Sequence, residues 1–448
     1  METATLLKKY NIAAPRYTSY PTVPYWDAET FSTATWLQTV KQTYANQKQE
    51  GISLYIHLPF CESLCTYCGC NTRITKNHSV EKPYIEALLK EWQMYVSVLG
   101  TKPKIKEIHL GGGTPTFFSA QNLNELILGV LKDAILAPEA ELSFEAHPAN
   151  TSLAHLQVLY QLGFKRLSLG IQDFDPKVQL MINRIQTPQQ VSEVSNEARK
   201  IGYQSINFDL IYGLPAQTKQ GLIETIEAVI NLKPDRIAFY SYAHVPWLKP
   251  GQRHYSEKDL PQGDAKFALY NLGRQMLMEA GYADVGMDHF ALTSDALYLA
   301  SKEKKLHRNF MGYTTQHTHL LIGLGVSSIS DSWTGFAQNA KTVETYLDKI
   351  NAGILPVEKG HILSDEDMRI RTHILNIMCR NHTAFNNGIP QVVHQRLLPL
   401  IRDKLITVTE KEISITPAGK SFLRNVCMAL DEHLWLKQPT SSIFSTAV

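Results

Sequence analysis

Ile52-Ser53-Leu54-Tyr55-Ile56-His57-Leu58 is an apolar, strand-like run, and it leads through Pro59-Phe60 into Cys61-Glu62-Ser63-Leu64-Cys65-Thr66-Tyr67-Cys68-Gly69-Cys70. That loop holds four of the six cysteines in a chain of 448 residues. Alternation along the strand puts Tyr55 and His57 on one face and Ile56 and Leu58 on the other. A strand that ends in a cysteine-rich loop suits an α/β fold, because such folds keep their sites at the C-terminal ends of the strands.

The same rhythm continues outward. Further strands are expected at Ile105–Leu110, Glu141–Ala146, Arg166–Gln172, Ile206–Tyr212 and Arg236–Tyr242. Helical patterns lie between them at Tyr84–Leu99, Leu123–Leu131, Leu153–Leu162, Val191–Ile201 and Leu222–Leu232. Thr151 reads as an N-cap, Thr187-Pro188 as a cap with proline at the first helical position, and Gly163 and Gly202 as left-handed stops. Strict β–α alternation implies right-handed crossovers and a parallel sheet. The expected fold is α/β, an incomplete (β/α)6 TIM-like barrel; an open doubly wound sheet is the alternative. Ser143 and Glu145 share a face, as do Ser168, Gly170 and Gln172, and Asn207 and Asp209. One side of the sheet is therefore polar near the strand ends.

The flanks read differently. Residues 1–48 form an N-terminal arm without regular elements, and 49–355 hold the barrel and its extension. Residues 356–448 form a small C-terminal helical, winged-helix-like domain. There, Ser364-Asp365-Glu366-Asp367 opens a helix as a capping box, and Ile406–Ile415 is a hairpin turning near Glu410-Lys411. Pro15-Arg16-Tyr17-Thr18-Ser19-Tyr20-Pro21 reads as a surface arm, with a lid or substrate role as the alternative. Net charge is +2, which carries no polyanion-binding signal and gives the C-terminal unit a structural or partner-contacting role over a nucleic-acid one. No run approaches the roughly 18 apolar residues of a membrane span, and no signal-peptide core is present, so a cytoplasmic protein with reduced thiols is expected.

In that setting clustered cysteines are metal ligands before they are disulfides. Cys61, Cys65 and Cys68 have the spacing C-x-x-x-C-x-x-C. Three thiolates on one loop can hold three corners of a [4Fe–4S] cluster and leave one iron open to a small molecule. Cys70 is only two residues from Cys68, too close for a fourth corner, and is expected to be free or near substrate. Zinc is the competing reading, but it wants four ligands in a closed tetrahedron, and these cysteines make poor pairs. Cys379 and Cys427 lie on helical patterns and read as core. Tyr67 is placed to stack on an adenine or simply to pack. Gly111-Gly112-Gly113-Thr114-Pro115 after the second strand lets backbone approach a ligand closely.

Taken together, Cys61-x-x-x-Cys65-x-Tyr67-Cys68 and Gly111-Gly112-Gly113-Thr114-Pro115 resemble the radical S-adenosylmethionine superfamily. Further motifs are similar to one family within it, the oxygen-independent coproporphyrinogen III oxidases: Lys9-Tyr10-Asn11, Pro15–Pro21, Tyr55–Cys61, Cys68-Gly69-Cys70-Asn71, Gly170–Phe174, Asp209–Pro215, Gly286–Phe290 and His307-Arg308-Asn309-Phe310. The resemblance implies an enzyme of haem biosynthesis. It implies one [4Fe–4S] cluster on Cys61, Cys65 and Cys68 and two S-adenosylmethionines. One electron would cleave a C5′–S bond, and the resulting 5′-deoxyadenosyl radical would take hydrogen from a propionate. Loss of CO2 and an electron would leave a vinyl group, and two rounds would convert coproporphyrinogen III to protoporphyrinogen IX.

By matching motifs, Tyr55, Gly112, Glu145 and Ile329 would contact the S-adenosylmethionine on the cluster. Tyr67, Gly113, Thr114, Gln172, Arg184, Asp209 and Ala243 would contact the second. Arg16 and Arg308 would pair with substrate propionates, and Cys70 would act in turnover. A flavodoxin- or ferredoxin-type electron donor and a monomeric state are further expectations. The chain departs from the family pattern at His147 and Ile185, where acidic residues are expected, and at Met311, where glutamine is. A haem-binding chaperone and a haem-modifying radical methyltransferase of the same superfamily are the alternatives; the Pro-Arg-Tyr-Thr-Ser-Tyr-Pro arm and Cys70 favour the decarboxylase.

Overall fold

A computed structural model describes residues 3–27, 29–437 and 444. Six strands run side by side in parallel: β1 (Ile52–Leu58), β2 (Lys104–Gly112), β3 (Ile135–Ala146), β4 (Phe164–Gln172), β5 (Ser205–Tyr212) and β6 (Arg236–Ser241). Beyond β6 the sheet ends in an antiparallel hairpin, β7 (Tyr282–Gly286) and β8 (His289–Leu292), attached through β8. On the other edge a seventh parallel strand, β9 (Leu321–Leu324), pairs with β1. Antiparallel β10 (Ile329–Asp331), β11 (Gly335–Asn339) and β12 (Val357–Ile362) then extend it. The outermost strands, β12 and β7, do not pair with each other, so the twelve-stranded sheet stays open.

Helices decide between the two expected architectures. Glu81–Leu99, Ala120–Lys132, Leu153–Gln161, Pro188–Ile201, Lys219–Leu232 and Gly263–Glu279 pack each against the next. A doubly wound sheet would split them between two faces; here they form one continuous outer layer, as in a barrel. Their apolar stripes explain the order. Tyr84, Leu88, Trp92, Tyr95 and Leu99 recur at helical spacing and are buried on the sheet side. Gly100, at φ 70°, ends that helix in the left-handed conformation. Thr187 caps its helix as expected, with Pro188 in the first turn. The Thr151 expectation is corrected. Ser152 is the cap, because His155 three residues on answers it in a capping box, while the Thr151 hydroxyl donates to the His147 carbonyl at 2.8 Å.

The flanks also differ from expectation. The arm contains two helices, Thr3–Tyr10 and Thr33–Gln47. Val357–Ile362, assigned above to the C-terminal domain, is instead the edge strand β12 of the central sheet. The paired tyrosines of the arm are not on the surface. Tyr17 and Tyr20 are buried in a second apolar core with Leu6, Ile374, Ile377, Leu397 and Val426. The Tyr17 hydroxyl donates to Asp431 at 3.1 Å, and Arg424 donates to the Ala14 and Pro15 carbonyls. The capping box at Ser364 and Asp367 and the hairpin of Ile406–Val408 with Glu412–Ile415 are as read, and Cys379 and Cys427 are core residues. Asp367 also receives His361 and His433, at 3.4 and 2.7 Å, and so ties β12 to the last helix. Among the described residues no helix is long and apolar enough to cross a membrane.

Trp92 is fully buried, and its Nε1–H donates to the Val130 carbonyl of the neighbouring helix at 3.1 Å. Truncation leaves a cavity and removes one of the two hydrogen bonds to that carbonyl, which also accepts from the Asp133 amide at 3.3 Å. Trp92→Ala is expected to lower unfolding free energy by about 3–5 kcal/mol, read as a reduced denaturation midpoint without change in the parallel-strand content by circular dichroism.

Candidate active site

The loop after β1 is held from three sides. From below, the Gly113 amide donates to the Leu58 carbonyl at 2.8 Å and that of Thr114 to the Phe60 carbonyl at 3.0 Å. From the far side of the barrel, the Thr66 amide donates to the Ile182 carbonyl at 3.0 Å, its hydroxyl to that of Met181 at 2.9 Å, and Asn183 Nδ2 to that of Leu64 at 2.7 Å. From outside, Gln252 Nε2 donates to the Tyr67 carbonyl at 3.0 Å and Lys249 Nζ to that of Cys70 at 3.1 Å.

His57 closes the loop's end. Its Nε2 lies 2.9 Å from the Asn71 carbonyl, which can only accept, so Nε2 carries the proton. Nδ1 therefore accepts from the Tyr55 hydroxyl at 3.0 Å. Burial lowers the imidazole's pKa, which keeps it in this neutral form. The glycine run makes the approach possible. A Cβ on Gly112, where φ is 112°, would stand 2.6 Å from the His57 ring; one on Gly113 would stand 2.6 Å from the Pro59 carbonyl oxygen. Sequence reasoning gave these glycines to a ligand, whereas in the structure they first give room to the chain's own strand.

Beside the loop lies a cavity of about 640 Å³, within the range of small-molecule and cofactor sites. Its wall collects Cys61, Cys65, Tyr67, Cys68 and Cys70 with Gly112, Gly113, Thr114, Glu145, Gln172, Arg184 and Asp209. The three departures, His147, Ile185 and Met311, are on the same wall. Tyr55, Ala243 and Ile329 are not. Tyr55 acts on His57 as described, the Ala243 carbonyl accepts from Gln252, and Ile329 packs with Trp26 and Phe336. Arg16 faces a second cavity, donating to the Ser241 carbonyl at 2.9 Å and pairing with Asp288 at 3.5 Å. Arg308 is buried with its guanidinium 4.6 Å from the Tyr313 ring centroid, and its Nε and Nη1 have no hydrogen-bond partner.

The thiols fit a cluster's needs. All three are free of disulfides. Cys61 Sγ lies 3.3 Å from the Thr114 hydroxyl, and Arg184 Nη1 donates to Cys65 Sγ at 3.7 Å. Hydrogen bonding from Cys70 pulls Cys68 down to about 6, whereas burial pushes Cys61 up to about 11. Metal–thiolate bonding requires the deprotonated form, and the guanidinium offsets the negative charge that results.

Carboxylates on the wall are set apart by their surroundings. Burial works to raise Glu145, but His109 and the Gly112 amide, donating at 3.4 and 3.2 Å, hold it below the usual range. His109 Nδ1 in turn accepts from Ser143 at 2.8 Å. Asp209 is pushed up to about 6 by burial and by Glu145, although Ser168 and Asn207 each donate to it at 2.9 Å. His147 is lowered to about 3 by burial and by Arg184, so it is neutral. Its Nδ1 accepts from the Ala149 amide at 3.1 Å, which leaves Nε2 with the proton. His109, Tyr240 and His289 also line the cavity and went unnoticed in the sequence. For His109 a signal existed, since it alternates with Glu107 on the polar face of β2.

Residues 55–229 match the model of the Radical SAM superfamily. The oxygen-independent coproporphyrinogen III oxidase of Salmonella typhimurium is 37% identical over 439 residues, which cover 96% of this chain and 95% of the relative. That of Helicobacter pylori is 38% identical over 438 residues, 95% of each. The structure of coproporphyrinogen III oxidase from Escherichia coli, described as a radical SAM enzyme, superposes with a TM-score of 0.88 at 35% identity, covering 94% of this chain and 98% of that one. With similarity of this extent, on a barrel that gathers the cysteine loop, the glycine run and the polar strand ends around one cavity, the chain belongs to the family of oxygen-independent coproporphyrinogen III oxidases.

Proposed function

We propose that this protein oxidatively decarboxylates coproporphyrinogen III to protoporphyrinogen IX without oxygen. The observation that carries the reading is the convergence of three free thiols, Arg184, the carboxylates of Glu145 and Asp209 and the imidazoles of His109 and His147 on one cavity. Cys61, Cys65 and Cys68 would hold a [4Fe–4S] cluster, and two S-adenosylmethionines would bind beside it. When bound, these groups supply the hydrogen-abstracting radical chemistry, and the protein supplies position and electrostatics.

Each residue then has a defined task. Glu145, kept ionised, accepts hydrogen bonds from an ammonium or hydroxyl group close to Gly112. Asp209 and Gln172 offer acceptors deeper in the barrel for the second cofactor molecule. His147 presents an N–H where the family pattern has an acidic acceptor, so the partner atom there is an acceptor in this chain. Arg308, with two unpartnered N–H groups, is poised to receive a propionate, because guanidinium and carboxylate match in geometry. Arg16, already paired with Asp288, orders the arm against β6 and meets substrate only by exchanging that partner. In this reading the enzyme works as a cytoplasmic monomer supplied by a flavodoxin- or ferredoxin-type donor; the family resemblance supports it.

The test is direct. Anaerobically reconstituted protein, given S-adenosylmethionine, reductant and coproporphyrinogen III, is expected to release CO2 and form protoporphyrinogen; porphyrin bound without turnover, or methylated haem from added haem, would overturn the assignment. Cys65→Ala is expected to lose the iron, measured by metal content and the visible spectrum. Cys70→Ala is expected to keep the iron and lose turnover; loss of iron there would make Cys70 a ligand. For Asp209, kcat/KM reports the free enzyme, so it is expected to rise with pH through about 6 as the carboxylate ionises. Asp209→Asn removes that limb. Because the folded pKa is raised, the stability contributed by Asp209 is present below the ordinary carboxylate range and lost as pH rises through about 6. The variant should therefore be no less stable than the parent at pH 7 by chemical denaturation.

A further inference from the structure

At the other end of the barrel, three side chains with metal-binding atoms converge away from any iron–sulfur chemistry. Glu50 lies two residues before β1, and His317 and His319 lie just before β9, which pairs with β1 in parallel. The cysteine loop is at the far end of β1, a seven-residue strand about 23 Å long at ~3.3 Å per residue. One ligand atom from each of Glu50, His317 and His319 lies within 4.8 Å of the others. His319 Nδ1 is 2.7 Å from Glu50 Oε2. The rings of His317 and His319 are 4.7 Å apart, and that of His307 is 4.4 Å from His317. Trp333 packs edge-on against both His317 and His319 and walls the group on one side.

Ordinary packing does not account for this arrangement. His317 Nε2 is shielded from solvent and has no hydrogen-bond partner. Unpaired buried polar atoms are rare and costly, and coordination to a metal would satisfy this one. Arg371 is held in an ion pair with Asp331. Glu50 supplies the negative charge.

We propose that Glu50, His317 and His319 form a binding site for one divalent transition-metal ion of the zinc type. Two imidazoles and a carboxylate suit zinc, cobalt or nickel, whereas calcium and magnesium want oxygen ligands. Ligand atoms in a tetrahedral zinc site are about 3.4 Å apart for bonds of ~2.0–2.1 Å, so side-chain rotations of about an ångström complete the geometry. The fourth position is left to water or to His307. The ion would be structural. It would fasten the residue entering β1 to the residues entering β9, beside the hairpin of His307–Asn309 and Gly312–Thr314 whose tip carries Met311 into the catalytic cavity.

Reconstituted holoenzyme, in which iron already occupies the cysteine loop, is equilibrated with Zn2+, dialysed, and analysed for zinc and iron. One retained zinc per chain is expected, with iron unchanged, and a thermal midpoint that rises with added Zn2+. His317→Ala and His319→Gln are expected to bind zinc about tenfold more weakly or worse and to lose the thermal shift, while keeping their iron. Glutamine at 319 can still hydrogen-bond Glu50, so this variant separates metal binding from folding. His394→Ala, at an exposed position elsewhere, serves as the control and should behave as the parent. Zinc retained equally by His317→Ala and His319→Gln, or no zinc retained by the parent protein, overturns the site.

Discussion

One close approach underlies the catalytic end of this molecule. The His57 ring rests on the backbone of Gly112, where any side chain would collide with it. That contact joins β1 to β2 at the height where both strands end. It also fixes the imidazole so that one nitrogen holds the Asn71 carbonyl and the other receives Tyr55. The ten-residue cysteine loop thus leaves and returns to the same point. Every other clamp on it, from Ile182 on one side to Gln252 on the other, assumes a loop whose two ends are already fixed. Pre-organisation of this kind lets a site meet its ligands without paying for order at the moment of binding.

The cavity gathers groups of opposite charge. Near the thiols, Arg184 supplies positive charge and donates to the Gly170 carbonyl, at a strand position with no side chain to block it. On the same cavity, Glu145 is kept charged by His109 and the Gly112 amide, while Asp209 is pushed up to about 6. Two carboxylates with separated pKa values in one cavity usually mark separate tasks. Each carboxylate has two donors, so the difference lies in their kind, histidine and backbone amide for Glu145 against hydroxyl and side-chain amide for Asp209, and in the field of Glu145, which is part of what raises Asp209.

Much of this was readable in the chain. The six parallel strands were found because alternation and apolar runs agree with glycine and proline punctuation, and Asp209, Ser168 and Gln172 were grouped by period alone. What stayed hidden depends on distant partners. The helix Thr3–Tyr10 has no local reason to be seen, since Leu6 and Leu7 find their partners in the second core, hundreds of residues on. Tyr17 and Tyr20 looked like candidates for a lid because paired tyrosines between prolines are unusual in a surface arm; burial against the C-terminal helices explains them. Strand β12 reads as the start of the C-terminal domain until β11 is beside it. Ser152 displaced Thr151 as a cap because His155 answers it, a pairing with a residue type that capping rules do not name. Ile329 and Ala243, expected at the site from the resemblance alone, lie off the cavity wall, the one packed with Trp26 and Phe336 and the other accepting from Gln252.

The second core has an implication for how the protein is made. Its arm segment, residues 6–20, is translated ahead of the barrel, yet its partners around residues 370–430 are translated after the barrel. Barrel strands can pair as they emerge, because domains form progressively during synthesis. The arm, with Arg16 against β6, can settle only after the C-terminal helices exist. The flank of the barrel near β6 is therefore uncovered until then, and docking of the arm waits on the C-terminal helices.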